Sequence, residues 1–180
     1  MVTQSEAVEL TPPVSEKDHV QGPVDAPLTL VEYGDYECEY CGSAYPMVQE
    51  LQSRFGDRLR FVFRHFPHAS IHPHASIAAQ AAEAAGAQGK FWQMHEMLFK
   101  HQKGLAGADL IHYALQIGLE PYRIAADLAT EVFARRVNEQ YQSGQQSGVM
   151  RTPTFFINGR RFDGERDLES LAAALEAAGR

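Results

Sequence analysis

The only two cysteines of this 180-residue chain, Cys38 and Cys41, lie three positions apart, between a short apolar run and a helical pattern. A disulfide between them would close a loop too short to remove much entropy from the unfolded chain, so the pair is a poor structural staple. Its value must be chemical. The run before it, residues 27–33 (Pro-Leu-Thr-Leu-Val-Glu-Tyr), has the length and β-leaning composition of an interior strand, closed by Gly34-Asp35. After it, Tyr45, Val48, Leu51 and Phe55 recur at spacings of three and four, which predicts a helix over residues 38–55 stopped by Gly56-Asp57.

Residues 59–66 alternate Leu59, Phe61 and Phe63 with Arg60 and Arg64, and Val62 is also apolar, which suits a second strand with one face better covered than the other. The two strands and the helix make a β-α-β unit, right-handed with parallel strands. Beyond residue 70 the signals turn helical. Residues 75–85 are Ala-rich; Phe91, Met94, Met97 and Leu98 form an apolar stripe; Asp109 caps a helix ending at Gly118; Pro121 opens another; and Val132, Phe133, Val137 and Tyr141 mark a last one. Two short strands, 154–157 and 160–162, flank Asn158-Gly159, a strong hairpin signal, and a closing helix covers 167–178. The order of elements resembles the α/β thioredoxin pattern with a helical insertion. The predicted organisation is an irregular lead-in over 1–26, a thioredoxin-like domain over 27–69 and 149–180, and an inserted helical domain over 70–148.

At 44% hydrophobic and 22% charged residues the chain has the composition of a domain that buries a core, and no apolar run approaches the roughly 20 residues a bilayer span needs. Sixteen Lys and Arg against 23 Asp and Glu leave a net charge of -7, with the bases scattered, which argues against a nucleic-acid partner. Residues 1–20 carry charges and Pro12-Pro13 in place of the apolar stretch of a secretory signal. The chain as written is therefore expected in the cytoplasm; where a signal or anchor has been trimmed, the expectation is a periplasmic or other extracytoplasmic place.

A helix start favours an anion through its unpaired amides and dipole, so Cys38 is expected to be a thiolate at neutral pH and the attacking sulfur. Cys41, one turn on, is the resolving sulfur that displaces the mixed disulfide. Glu32 lies near the end of a central strand on the same side as Leu28 and Leu30, beneath that helix start. Burial there would raise its pKa and suit it to exchange a proton with Cys41. The bland alternative is a carboxylate reaching solvent at the strand end. Tyr36, Glu39 and Tyr40 are candidate substrate contacts, and a Pro at a strand start, as at Pro153 after Thr152, is tolerated without any function.

Cys-x-x-Cys is also half of a zinc site, and His65, His68, His72 and His74 crowd one segment. A metal-binding module using Cys38, Cys41 and these histidines is thus a second reading. Pro67 and Pro73 break any regular ligand spacing. A third reading, a binding module with incidental cysteines, is opposed by the helix start and by Glu32.

With the strand, the cysteine pair, the helical block and Thr152-Pro153 before a hairpin in place, the chain resembles the DsbA-like branch of the thioredoxin superfamily. It looks most like the bacterial group whose domains stand alone or are fused to antiporters. The similarity runs from about Ala26 onward and includes Arg64-His65-Phe66-Pro67, Gln88-Gly89-Lys90-Phe91-Trp92 and Leu98-Phe99. The resemblance implies a thiol-disulfide oxidoreductase without a cofactor, acting on protein or peptide thiols and disulfides and recycled by a redox partner. It implies that Pro153 is cis against the disulfide, that the Thr152 backbone pairs with an extended substrate, and that Glu32 fills the family's acidic position. Pro46 matches a helix-kinking proline. The departure lies between the cysteines: DsbA has Pro-His, this chain Glu39-Tyr40, with Asp35 and Glu37 nearby. Negative charge disfavours a thiolate, so the expected potential is more reducing than the about -120 mV of DsbA.

Overall fold

A computed structural model describes residues 8–180; the first seven positions of the expected lead-in lie outside the described residues. Five strands form one sheet: β1 (His19–Gln21), β2 (Leu28–Gly34), β3 (Leu59–His65), β4 (Thr154–Ile157) and β5 (Arg160–Arg161), in the order β1-β3-β2-β4-β5. β2 and β3 run parallel, from Leu28 opposite Leu59 to Gly34 opposite His65, while the other pairings are antiparallel. The helices are α1 (Glu39–Phe55), α2 (Ala75–Gly86), α3 (Phe91–Lys100), α4 (Gly107–Gln116), α5 (Pro121–Ala129), α6 (Ala134–Gln146) and α7 (Leu168–Ala178).

Every residue of β2 is buried, which its position between β3 and β4 requires. Alternation sorts the side chains into two cores. Leu28, Leu30, Leu59, Phe61, Phe63, Phe155 and Ile157 pack with Val48 and Leu51 of α1, Leu171 and Leu175 of α7, and the alanines of α2. Val31, Tyr33, Val62 and Phe156 form the opposite core with Phe66 and Val149. Truncating a fully buried leucine such as Leu30 to alanine costs about 2–5 kcal/mol. In α2 the small side chains let the helix pack against α3, α5 and α6 at once.

The lead-in departs from the irregular segment predicted. His19–Gln21 adds a strand antiparallel to β3, Glu9 bridges to Arg160, and Leu10 is buried in the second core. This segment also closes the face of β3 expected to be less covered. Arg64 is 3% exposed; it pairs with Asp18 at 2.8 Å and donates to the carbonyls of Pro12 and Pro13. Asp109 is not the cap of α4: Ala106 holds that position, and the Asp109 carboxylate reaches back to accept its N–H at 3.1 Å. The hairpin turn has positive φ at both Asn158 and Gly159, and the Asn158 side chain accepts the Thr29 N–H at 2.8 Å.

Candidate active site

The last residue of β2 is a glycine because nothing larger fits: a Cβ on Gly34 would lie 2.4 Å from the Phe63 ring and 3.1 Å from Glu32 Oε1. Asp35 then turns the chain into α1. Its carbonyl accepts the Cys38 N–H at 3.1 Å, and its own N–H donates to Cys41 Sγ at 3.5 Å. Its carboxylate accepts the N–H groups of Glu37 at 2.8 Å and His68 at 2.9 Å and binds His72 Nδ1 at 2.8 Å. Cys38 occupies the N-cap position of α1, where no side chain caps the helix, so the amides of Tyr40 and Cys41 serve its sulfur. Across the site the Cys38 thiol donates to the Thr152 carbonyl at 3.7 Å. From the end of α3, Gln102 donates to the carbonyls of Tyr36 and Cys38, each at 2.8 Å, bracing the turn.

Both cysteines are free thiols, and their surroundings divide them. A hydrogen bond from Cys41 leads in favouring the Cys38 thiolate; burial opposes it, and the Thr152 side chain and the two helix amides add to it, bringing Cys38 down to about 5. Cys41 is pushed well above the ordinary thiol value by burial first, then by its bond to Cys38 and the charges of Glu32 and Cys38. Glu32, 2% exposed with Oε1 unpartnered, is raised to about 8 by burial and then by the Cys38 charge. It lines a cavity of about 90 Å³ with Gln21, Tyr45, Gln52, His95 and Glu96.

The sequence profile of the family described as thioredoxin matches residues 14–177. The chain belongs to the thioredoxin family. It is 48% identical over 172 residues to the Na(+)/H(+) antiporter NhaA 1 of Salinispora arenicola, covering 95% of this chain and 26% of that protein. With the NhaA antiporter of Herminiimonas arsenicoxydans it shares 47% over 172 residues, 95% of this chain and 27% of that one. The chain thus spans about a quarter of the length of these curated relatives. Oxidised BdbD from Bacillus subtilis superimposes with a TM-score of 0.87 at 25% identity, over 97% of this chain and 99% of that one. A thioredoxin-like oxidoreductase from Silicibacter pomeroyi gives 0.77 at 26% identity, over 91% and 93%.

Cys38, Thr152, Glu39 and Tyr40 surround one groove, where Tyr40 is 68% exposed. The Thr152-Pro153 peptide is cis and leads into β4. Glu32 does not reach solvent, so the bland alternative for it falls. Tyr36 is not a substrate contact: it is 1% exposed, its ring packs on Phe63 and Phe99, and its hydroxyl meets His95 Nδ1 at 2.9 Å. The clustered histidines separate. His65 binds Glu83, His72 binds Asp35 and His74 binds Glu37, and among the described residues no group of three or more His, Cys, Asp and Glu is arranged to hold a metal ion. Gln102 was missed as a site residue, Asp35 was read only as a nearby negative charge, and His72 only as a candidate metal ligand. Asp35 and His72 are 37 positions apart, and only the fold joins them.

Proposed function

We propose that this chain exchanges a Cys38–Cys41 disulfide with the thiols of protein substrates through a mixed disulfide at Cys38. The observation that carries it is the opposed character of the two sulfurs: one acidic and on the groove, the other basic and sealed beneath it. In the reductive direction the Cys38 thiolate attacks a substrate disulfide, and one substrate sulfur leaves as a thiolate. Cys41 then passes its proton to Glu32 and attacks Cys38; the second substrate thiolate leaves and the Cys38–Cys41 bond forms. Two electrons pass to the substrate. In the oxidative direction a substrate thiolate attacks Cys38 and opens the Cys38–Cys41 bond, Glu32 returns the proton to the departing Cys41, and a second substrate thiolate then forms the substrate disulfide and expels Cys38 as a thiolate. The 90 Å³ cavity beside Glu32 is roomy and polar enough for ordered water to carry that proton.

The groove beside Cys38 takes an extended chain. Tyr40, Ile71 and Met150 are exposed along it, and the Thr152 backbone offers strand-like pairing. With Cys38 at about 5, above the roughly 3.5 of DsbA, the dithiol is less stabilised and the potential is more reducing than about -120 mV. Direction follows the compartment: the dithiol persists in the cytoplasm and makes the chain a reductase, while outside it the disulfide persists and oxidation follows.

Insulin reduction with a glutathione-coupled titration tests the reading. Cys38→Ser abolishes turnover, and Cys41→Ser accumulates a mixed disulfide at Cys38. Turnover surviving in Cys38→Ser, or a pair that never cycles between dithiol and disulfide, overturns it.

A further inference from the structure

Asp35 presents a difficulty that the exchange reaction does not explain. Its carboxylate is 0% exposed, it belongs to the turn that holds both sulfurs, and a buried negative charge there opposes a thiolate. Two of its three hydrogen bonds come from backbone amides, which carry no net charge. The third comes from His72, the one titratable side chain bonded to it among the described residues.

His72 reaches Asp35 from the turn that follows β3. The His72 N–H closes that turn on the His68 carbonyl at 2.9 Å, and the His68 N–H is itself held by Asp35. Nδ1 is thereby committed to the carboxylate. The ring, 23% exposed, lines the same groove as Cys38, Tyr40 and Thr152. A buried carboxylate, an imidazole fixed by it and a sulfur on the shared groove form an ordered Asp-His-Cys set assembled from three separate segments.

We infer that His72, clamped at Nδ1 by Asp35, is the cation that faces Cys38 in the groove and holds its sulfur in the thiolate form. Asp35 acts through it, as a positioning residue. The other titratable and charged side chains lining this groove are Glu37 in the turn, Glu39 and Tyr40 at the start of α1, His68 on the same turn as His72 with ring centroids 6.4 Å apart, and Arg151 before β4. Glu37 is engaged by His74 at 3.1 Å, which leaves His72 as the partner of Asp35. Burial disfavours the imidazolium, but the Asp35 bond and charge, with the charges of Cys38 and Glu37, outweigh it and raise His72 above its ordinary value. The Asp35 bond thus favours the imidazolium on the groove that carries the Cys38 sulfur.

The inference rests on the proposed exchange reaction, and its test does not depend on turnover. In the full chain, the His72 ring is titrated by NMR in the dithiol and disulfide forms, and the Cys38 thiolate by its ultraviolet absorbance. Linkage requires His72 to titrate higher in the dithiol form, because disulfide formation removes the thiolate it faces. His72→Asn, which keeps a donor to Asp35 without the charge, raises the Cys38 pKa by about one unit, the lower end of the effect of a nearby opposite charge. That tenfold weaker ionisation constant destabilises the dithiol form and carries a shift of about 30 mV toward more reducing potential. His72→Lys restores the thiolate. Either a His72 titration identical in the two redox forms or a His72→Asn variant with unaltered Cys38 pKa overturns the inference. The first readout uses the unmutated chain, so a misfolded variant does not shield the idea. Failure of the unmutated chain to form its disulfide with glutathione would instead sink the exchange reading.

Discussion

Glu32 and Glu83 are both buried glutamates, 2% and 3% exposed, and their carboxyls are driven in opposite directions. Glu32 has no partner for Oε1 and rises to about 8. Glu83 sits among His19 at 3.0 Å, His65 at 2.9 Å and Arg136 at 2.5 Å. Burial alone would raise it too, but the bonds from His19 and His65 overcome burial and hold it far below the usual carboxylate range. Equal burial therefore decides nothing. What decides is whether the fold supplies donors and positive charge, and it withholds both from the carboxylate under the active site. The unpartnered glutamate is the one able to trade a proton; the partnered one ties β1, β3, α2 and α6 together.

The most damaging way to break this contrast is Glu83→Ala. It leaves Arg136 and two imidazoles facing a void and costs about 4 kcal/mol, within the usual range for one lost partner of a buried ion pair. Denaturant midpoints at neutral pH check it. A depressed carboxyl contributes stability that is present above its unfolded value of 4.5 and lost as pH falls toward its folded one, so the penalty of the variant shrinks below pH 4.5. His65, whose imidazolium is disfavoured by burial, donates to Glu83 from Nε2.

Glu32→Gln has the opposite sign. A carboxyl raised from 4.5 to about 8 adds stability that is fully present below 4.5 and drains away as pH rises through that window. The variant is therefore more stable than the parent at pH 9, by about 3 kcal/mol once relaxation around the cavity is allowed for, and the gain vanishes near pH 4. It also resolves mixed disulfides at pH 7 about 100-fold more slowly, the low end of what a positioned acid-base group contributes. Rapid-quench trapping of the Cys38 adduct measures this; an unchanged rate removes Glu32 from the chemistry.

How far each glutamate was legible follows from the same physics. Glu32 was readable because one local fact, a charge in a strand made central by its neighbours, implied burial, and alternation put it with Leu30 under α1. The cysteine pair was readable for the same reason, since strand, sulfurs and helix lie within thirty consecutive positions. Glu83 gave no sign of itself: its partners stand 64, 18 and 53 positions away, and nothing local joins them to it until the fold closes. β1 escaped because three residues cannot display a period. Tyr36 misled for a related reason: it neighbours the site in sequence, but its ring turns inward to His95, 59 positions away. Contacts local in sequence were visible, and those made by the helical block and the lead-in were not.

A subtler change turns one glutamate partway into the other. Gln52 of α1 is half-buried on the Glu32 cavity and donates to Gln21 at 3.1 Å, so Gln52→Lys delivers an ammonium group to the space Glu32 faces. Its four-carbon stem can lie along Val48 and Phe61 while the charge stays near the cavity mouth. Glu32 then drops by about one unit, the smaller end of the effect of an opposite charge at close range. The pH dependence of mixed-disulfide resolution moves down by that same unit. A profile that stays in place would mean that the cavity does not govern the proton on Glu32, and the distinction between the two glutamates would then rest on burial of the carboxylate rather than on the company it keeps.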